Sequence, residues 1–152
     1  MNNKETSRAS VGVWIRLLKA HNMIFNQVRG RLSEHCTMSQ FDILAQLSRE
    51  ESGTPLVELS RRLLVTAGNV TGMIDRMEKA ELVRRSADPS DRRITRVHLT
   101  DKGKLLARKV IPTHSQDIQR IFDPLKEKEI VQLRKLLDKL IAGMENGAAS
   151  KF

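Results

Sequence analysis

The stretch TPLVELSRRLLVTAGNVTGMIDRMEKAELVRRSADPSDRRITRVHLTDKG, from Thr54 to Gly103, packs four structural signals end to end with almost no residues to spare. Thr54-Pro55 reads as a helix start, because Thr can cap and Pro at the first helical position gives up only an N–H that would go unpaired anyway. Leu56, Leu59 and Leu63 form the core stripe of a short helix, with Arg61 and Arg62 off it. Val65-Thr66 is the turn, and Thr66 is positioned to cap a further helix over Ala67 to Lys79. There Val70, Ile74 and Met77 fall at i, i+4 and i+7 with Met73 beside them, the spacing of a buried helical face. The opposite face carries Asn69, Thr71, Gly72, Asp75 and Arg76. Gly68 and Gly72 each cost this helix roughly 1 kcal/mol against Ala, and close approach of a partner would account for them. Next, Leu82-Val-Arg-Arg-Ser and an alternating Thr95, Val97, Leu99 flank Asp-Pro-Ser-Asp, which is strong turn chemistry. The result is a β-hairpin rimmed with arginine, followed by a helix start at Thr100-Asp101.

Charge is concentrated in the same region. Between residues 60 and 110 there are thirteen Lys or Arg against six Asp or Glu, which places +7 of the chain's net +9 in one third of its length. A field distributed this way steers toward a polyanion, of which nucleic-acid phosphate is the commonest. The single cysteine, Cys36, excludes an intrachain disulfide. No apolar run approaches the roughly 18 residues that span a bilayer, and MNNKETSRAS has no apolar signal segment, so a cytoplasmic protein without membrane contact is expected.

The flanks read as helices. Aromatics are only 3% of the chain, and Leu, Ile, Val and Met supply a content suited to helix-on-helix packing. After a polar, frayed stretch over residues 1–9, Trp14, Leu17, Leu18, Ile24, Phe25, Val28 and Leu32 follow helical spacing, with His21 interrupting the stripe. Ser39 with Asp42 resembles a capping box for a second helix whose buried face is Phe41, Leu44, Ala45 and Leu47. Beyond Thr100, Leu105, Leu106, Val110 and Ile111 lie on one side of a helix that Pro112 should kink or interrupt. Asp123-Pro124 repeats the cap-plus-Pro start for a last helix through Met144, and from Glu145 the tail is expected to be disordered. The first helix and the last two offer more apolar stripe than one copy can cover, a liability unless a second chain seals it. A homodimer is the economical solution, and a two-fold reader suits a palindromic site. The expected organisation is an N-terminal dimerisation helix over 1–36, a DNA-binding domain over 37–103, C-terminal dimerisation helices over 104–146 and a tail over 147–152.

These residues resemble the MarR/SlyA family of bacterial winged helix-turn-helix repressors over nearly the whole chain. The most specific part is the wing, where Asp91-x-Arg93 is followed by Val97, Leu99-Thr100 and Gly103. The preceding LLVTAGNVTGMIDRMEKAELVRR resembles the recognition helix and the Leu-Val-x-Arg that leads into the wing. The resemblance implies a mostly α fold with a small β-hairpin wing, that is, a winged helix-turn-helix core with N- and C-terminal dimerisation helices. It implies that Thr66, Asn69, Thr71 and Gly72 meet base edges and flanking phosphates, with Arg76 on phosphate. Arg93 would reach into the minor groove, oriented by Asp91, with Arg92 on phosphate; a planar, always charged guanidinium suits that narrow negative groove. Arg61, Arg84, Arg85 and Arg96 are further phosphate candidates, against a simple solvated charged face. Relatives of this kind respond to small phenolic or aromatic acids, for which Trp14, Arg16 and His21 are the candidate lining, against a dimer-core role for Trp14 and a satisfied polar role for His21.

Other functions are less well served by the sequence. An enzyme finds no support: the histidines at 21, 35, 98 and 114 are scattered, no nucleophile–base or paired-carboxylate arrangement is suggested, and no phosphate-cradling Gly loop occurs. No cofactor or metal site is expected, since the neighbours His35 and Cys36 do not make a tetrahedral site. A redox-responsive repressor acting through Cys36 and a sequence-nonspecific architectural DNA protein remain as alternatives.

Overall fold

A computed structural model describes residues 3–63 and 67–149, with side chains described over 8–63 and 68–146. The fold is mostly α with a small antiparallel sheet, and the described elements run α1 (Asn3–Leu32), α2 (Met38–Leu47), β1 (Thr54–Pro55), α3 (Leu56–Arg62), α4 (Ala67–Lys79), β2 (Val83–Ala87), β3 (Thr95–Leu99), α5 (Asp101–Phe122) and α6 (Glu127–Ala149). They form two compact units, Met1–Ser115 and Gln116–Phe152. The Val65-Thr66 turn, including the Thr66 cap, lies outside the described residues.

The core of the first unit is built by the helical stripes anticipated above. Val70, Ile74 and Met77 of α4 are fully buried, together with Leu59 of α3 and Ile43 and Leu44 of α2. Val97 of β3 joins them, while α1 contributes Val28 and Leu32. Burying such side chains contributes roughly 1.5–3 kcal/mol each, which holds the two short helices α3 and α4 against the sheet. The sheet order is β1-β3-β2, with Thr54 opposite Val97 and Arg85 opposite Val97 on the other side.

Several local readings differ. Thr37, not Ser39, caps α2: its hydroxyl accepts from Gln40 N–H at 3.2 Å while the Gln40 side chain accepts from Thr37 N–H at 2.9 Å. The reciprocal box therefore sits two residues earlier, with Gln in the returning role. Thr54 does not cap a helix; Thr54-Pro55 forms edge strand β1, and α3 begins at Leu56 without a side-chain cap. Thr54 pairs with Val97 and Pro55 with Arg96 of β3, and proline is tolerated there because an edge strand has one side that needs no donor. Asp123-Pro124 lies in the turn after α5, and α6 starts three residues later at Glu127, where the Glu129 side chain accepts from Lys126 N–H at 2.8 Å. Helix α1 starts already at Asn3, and α6 continues to Ala149 through the expected tail. Pro112 does not end α5, which is helical through it; the Thr113 and Ser115 hydroxyls donate back to the Lys109 and Ile111 carbonyls at 2.9 and 3.0 Å.

Two tight joints set the recognition region against the hairpin. At the end of α4, Leu82 N–H returns to Met77 C=O at 2.9 Å, closing a turn in which Glu81 adopts a left-handed φ of 61°. Thr100 then donates its hydroxyl to Glu81 C=O at 2.6 Å and accepts from Gly103 N–H at 3.0 Å, so it caps α5 as the sequence suggested. Gly103 packs so closely that a Cβ there would stand 1.9 Å from the Leu82 carbonyl oxygen. A glycine at this place lets α5 begin directly on the α4–β2 junction.

Candidate nucleic-acid interface

Helix α4 and the β2–β3 hairpin carry the residues that the resemblance assigns to DNA contact. On α4, Asn69, Thr71 and Arg76 are exposed and Gly72 is half-buried, opposite the buried Val70, Ile74 and Met77. A Cβ added at Gly68 would meet nothing within 4 Å, and one at Gly72 would meet only the Arg76 guanidinium at 3.7 Å. Among the described residues, packing requires neither glycine. The space above both is open to a partner.

The hairpin tip is locked from within. Asp88 is buried, at 6% exposure, and one of its oxygens accepts from Ser90 N–H at 2.8 Å, from the Ser90 hydroxyl and from Asp91 N–H at 3.2 Å. Its other oxygen is paired with Arg96 Nε. The Ser90 hydroxyl first, and the Arg96 guanidinium next, hold the Asp88 carboxyl far below the usual carboxylate range. Arg96 continues across the sheet to donate to Gly53 C=O at 2.7 Å. Above this base, Asp91 accepts from Arg93 N–H at 3.0 Å and stands 3.7 Å from Arg93 Nε, while the Arg93 side chain is 95% exposed. Asp91 and Arg93 are thus brought together as the motif implies, with Arg92 exposed beside them.

Of the other arginines considered for phosphate, two are occupied inside the protein. Arg85 donates to Glu78 at 2.6 Å and to Asp75 at 2.7 Å, and its own N–H donates to the second Glu78 oxygen at 3.0 Å. It staples β2 to α4 and so ties the hairpin to that helix. Arg96 is the clamp just described. Arg84 is exposed, and Arg61 is exposed while paired with Glu58 at 2.6 Å, an exposed ion pair worth little. The sequence offers Arg85 and Arg96 as phosphate candidates and assigns nothing to Asp88; their contacts within the protein depend on residues brought together by the fold.

The proposed ligand residues are not gathered in one place. Trp14 is 59% exposed on α1, and His21 stacks on Phe25 with ring centroids 5.9 Å apart. Seven residues apart, these two share a helix face, whereas Arg16 lies roughly 200° around from Trp14 at 100° per residue. Arg16 turns back along α1 to donate to Gly12 C=O at 3.0 Å. Cys36 is buried, and burial first, then the nearby Asp42 carboxylate, push its thiol up. Among the described residues no group of three His, Cys, Asp or Glu is placed to hold a metal ion, and no helix is long and apolar enough to cross a membrane.

Comparison with known proteins agrees with this geometry. The MarR family model matches residues 36–95, from the start of α2 to the wing. The transcriptional repressor NicR of Pseudomonas putida is 32% identical over 126 residues, covering 83% of this chain and 78% of NicR. The crystal structure of AbsC, a MarR family transcriptional regulator from Streptomyces coelicolor, superposes with a TM-score of 0.83 at 28% identity, covering 96% of this chain and 97% of AbsC. BpsR of Bordetella bronchiseptica, whose DNA binding is regulated by 6-hydroxynicotinic acid, superposes with a TM-score of 0.71 at 28% identity over 86% of this chain and 98% of BpsR. The chain belongs to the MarR family of winged-helix DNA-binding transcriptional regulators.

Proposed function

We propose that this regulator is a cytoplasmic homodimeric repressor of a palindromic operator, released by a small aromatic acid or phenol. In this reading Thr66, Asn69, Thr71 and Gly72 meet base edges and adjoining phosphates in the major groove, with Arg76 on phosphate. Arg93, oriented by Asp91, enters the minor groove, and Arg92 contacts its phosphates. The observation that carries the reading is a guanidinium left 95% exposed at the end of a hairpin whose backbone is fixed by Asp88 and Asp91. A side chain held out on a rigid stem loses little on meeting a groove, and its pairing with Asp91 at 3.7 Å leaves the guanidinium exposed.

Dimerisation is supported by apolar surface that one copy leaves uncovered. Val11, Val13, Trp14, Ile15 and Met23 of α1 are each more than half exposed, as are Leu136 and Met144 of α6. The effector reading rests on the shared α1 face of Trp14 and His21, with Arg16 on the other side of that helix. BpsR's regulation by 6-hydroxynicotinic acid supports that ligand class.

The discriminating experiment is competition at fixed salt between DNA from upstream of the protein's own gene and unrelated DNA. A specific repressor holds its operator typically ~10³ to 10⁷ times tighter than bulk DNA; near-equal competition would instead support a nonspecific architectural protein. Sedimentation at micromolar concentration tests the dimer, and a stable monomer refutes it.

A further inference from the structure

A cavity of about 250 Å³ lies behind the wing, on the first unit, where the end of α2, the loop that follows it, β2, β3 and the start of α5 meet. Leu47 and Leu99 supply its apolar surface, and Arg84, Lys104 and Arg108 bring three cationic side chains to it. Among the described residues neither Arg84 nor Arg108 has an acidic partner within salt-bridge distance, in contrast to Arg62, Arg85 and Arg96, each of which is paired. Lys104 stands 4.0 Å from Asp101, whose side chain is fully exposed, a contact too solvated to satisfy it.

Two carboxylates also reach the cavity. Glu50 is paired with Arg62 at 2.7 Å, so its charge is already answered from outside, which leaves Glu51 as the opposing anion. His98 completes the lining; its Nε2 lies 2.8 Å from the Ser86 hydroxyl and its ring packs over Gly53, where a Cβ would fall within 2.4 Å of it. Burial, then Arg84 and Arg96, push His98 below the ordinary histidine value. Three cations against one unanswered carboxylate leave an excess of two positive charges around a small, partly apolar space. All three cations are exposed, so solvent screens their mutual repulsion, and their combined field draws an anion to the cavity rather than straining the fold.

We propose that this cavity binds a compact organic dianion, a dicarboxylate or a phosphate monoester, with the anionic groups between Arg84 on β2 and Lys104 and Arg108 on α5 and the apolar part against Leu47 and Leu99. The site is separate from the α1 face bearing Trp14 and His21. Occupancy would tie the base of the wing to the first turns of α5, the two elements whose relation the Thr100 and Gly103 joint sets. Binding can be measured without DNA, so its outcome is independent of the operator reading.

The test is calorimetric titration of the full chain with phthalate, phenyl phosphate, benzoate and inorganic phosphate. The expected result is one site per chain for phthalate or phenyl phosphate, with benzoate and inorganic phosphate each weaker because one lacks the second charge and the other the apolar body. Arg108→Gln and Arg84→Gln should each weaken that binding about tenfold, as loss of a charge-assisted contact does, with unchanged helical circular dichroism. Lys139→Gln on α6 should bind as the parent does. The proposal is overturned if neither dianion binds at millimolar concentration, if Arg108→Gln binds as tightly as Lys139→Gln, or if inorganic phosphate binds as tightly as phenyl phosphate.

Discussion

Asp88 and Arg96 pair beneath the wing tip, and the far side of the same guanidinium holds the Gly53 carbonyl at 2.7 Å, so one arginine joins the tip, β3 and the approach to β1. Arg96→Ala should therefore weaken DNA binding without touching DNA itself. Residues coupled through one network are non-additive, so Arg93→Ala should cost less affinity in the Arg96→Ala background than in the parent. Gel-shift titration of the four proteins checks this, and faster amide exchange at Ser90 and Asp91 in Arg96→Ala should accompany it. Strict additivity of the two substitutions would refute the coupling.

Arg93 itself makes no contribution that the fold would miss. With its side chain 95% exposed, Arg93→Ala should leave thermal stability within about 0.5 kcal/mol while weakening operator binding by about 1–3 kcal/mol, the range for one groove arginine. Unchanged affinity with an intact fold would remove Arg93 from the interface.

The glycines divide into two kinds with opposite expected signs. Gly103→Ala places a Cβ 1.9 Å from the Leu82 carbonyl oxygen, a backbone atom that cannot turn aside, and should destabilise by about 3 kcal/mol, the upper end of the overpacking range. Gly68→Ala points into open space and should stabilise α4 by up to about 1 kcal/mol. If DNA uses that space, the same substitution lowers operator affinity. Paired melting and gel-shift measurements separate the two effects, and a Gly68→Ala protein that is both more stable and fully DNA-competent would show that the space is not used.

Stability should depend on pH in two separate windows. Asp88 is depressed in the fold, so its contribution is complete above the ordinary carboxylate value of 3.8 and is lost as pH falls through that value toward the folded one. His98 is also depressed, which means that below 6.5 the unfolded chain takes the proton more readily and stability falls with pH. Urea unfolding across pH should show the first decline attenuated in His98→Gln and the acid decline attenuated in Asp88→Asn. A variant that leaves its own window unchanged would contradict the assignment.

Cys36 should be a poor nucleophile. Burial and the Asp42 carboxylate raise its thiol above the ordinary value, and the thiolate is the reactive form. Alkylation of the native protein at neutral pH should be slower than that of the urea-unfolded protein. Equal or faster native alkylation would restore a redox role.

What was legible in advance follows from how far each determinant lies along the chain. The α4 stripe, the hairpin turn and the Thr100 cap depend on residues within a few positions of one another, and their spacing carried the information. Thr54 is different: as a cap or as a strand residue it looks the same locally, and the choice is made by Val97, more than forty residues on. Arg85 and Arg96 were indistinguishable from Arg84 and Arg93 by composition, because their partners Asp75, Glu78 and Gly53 sit on other elements. For the same reason the cavity behind the wing, lined from three separate stretches of the chain, left no pattern in the sequence. Trp14, Arg16 and His21 suit an aromatic acid by residue type, but helical geometry sets Arg16 on the other side.

The clamp under the wing also has a thermodynamic signature. Segments that order on binding lose conformational entropy at that moment and contribute a large negative heat-capacity change. A hairpin tip already held by Asp88, Asp91 and Arg96 has given up that freedom during folding, so its docking should add little to either quantity. Calorimetry of the operator complex would then attribute most of the heat-capacity change to surfaces buried elsewhere, and loosening the clamp would move that cost from the folding reaction to the binding reaction.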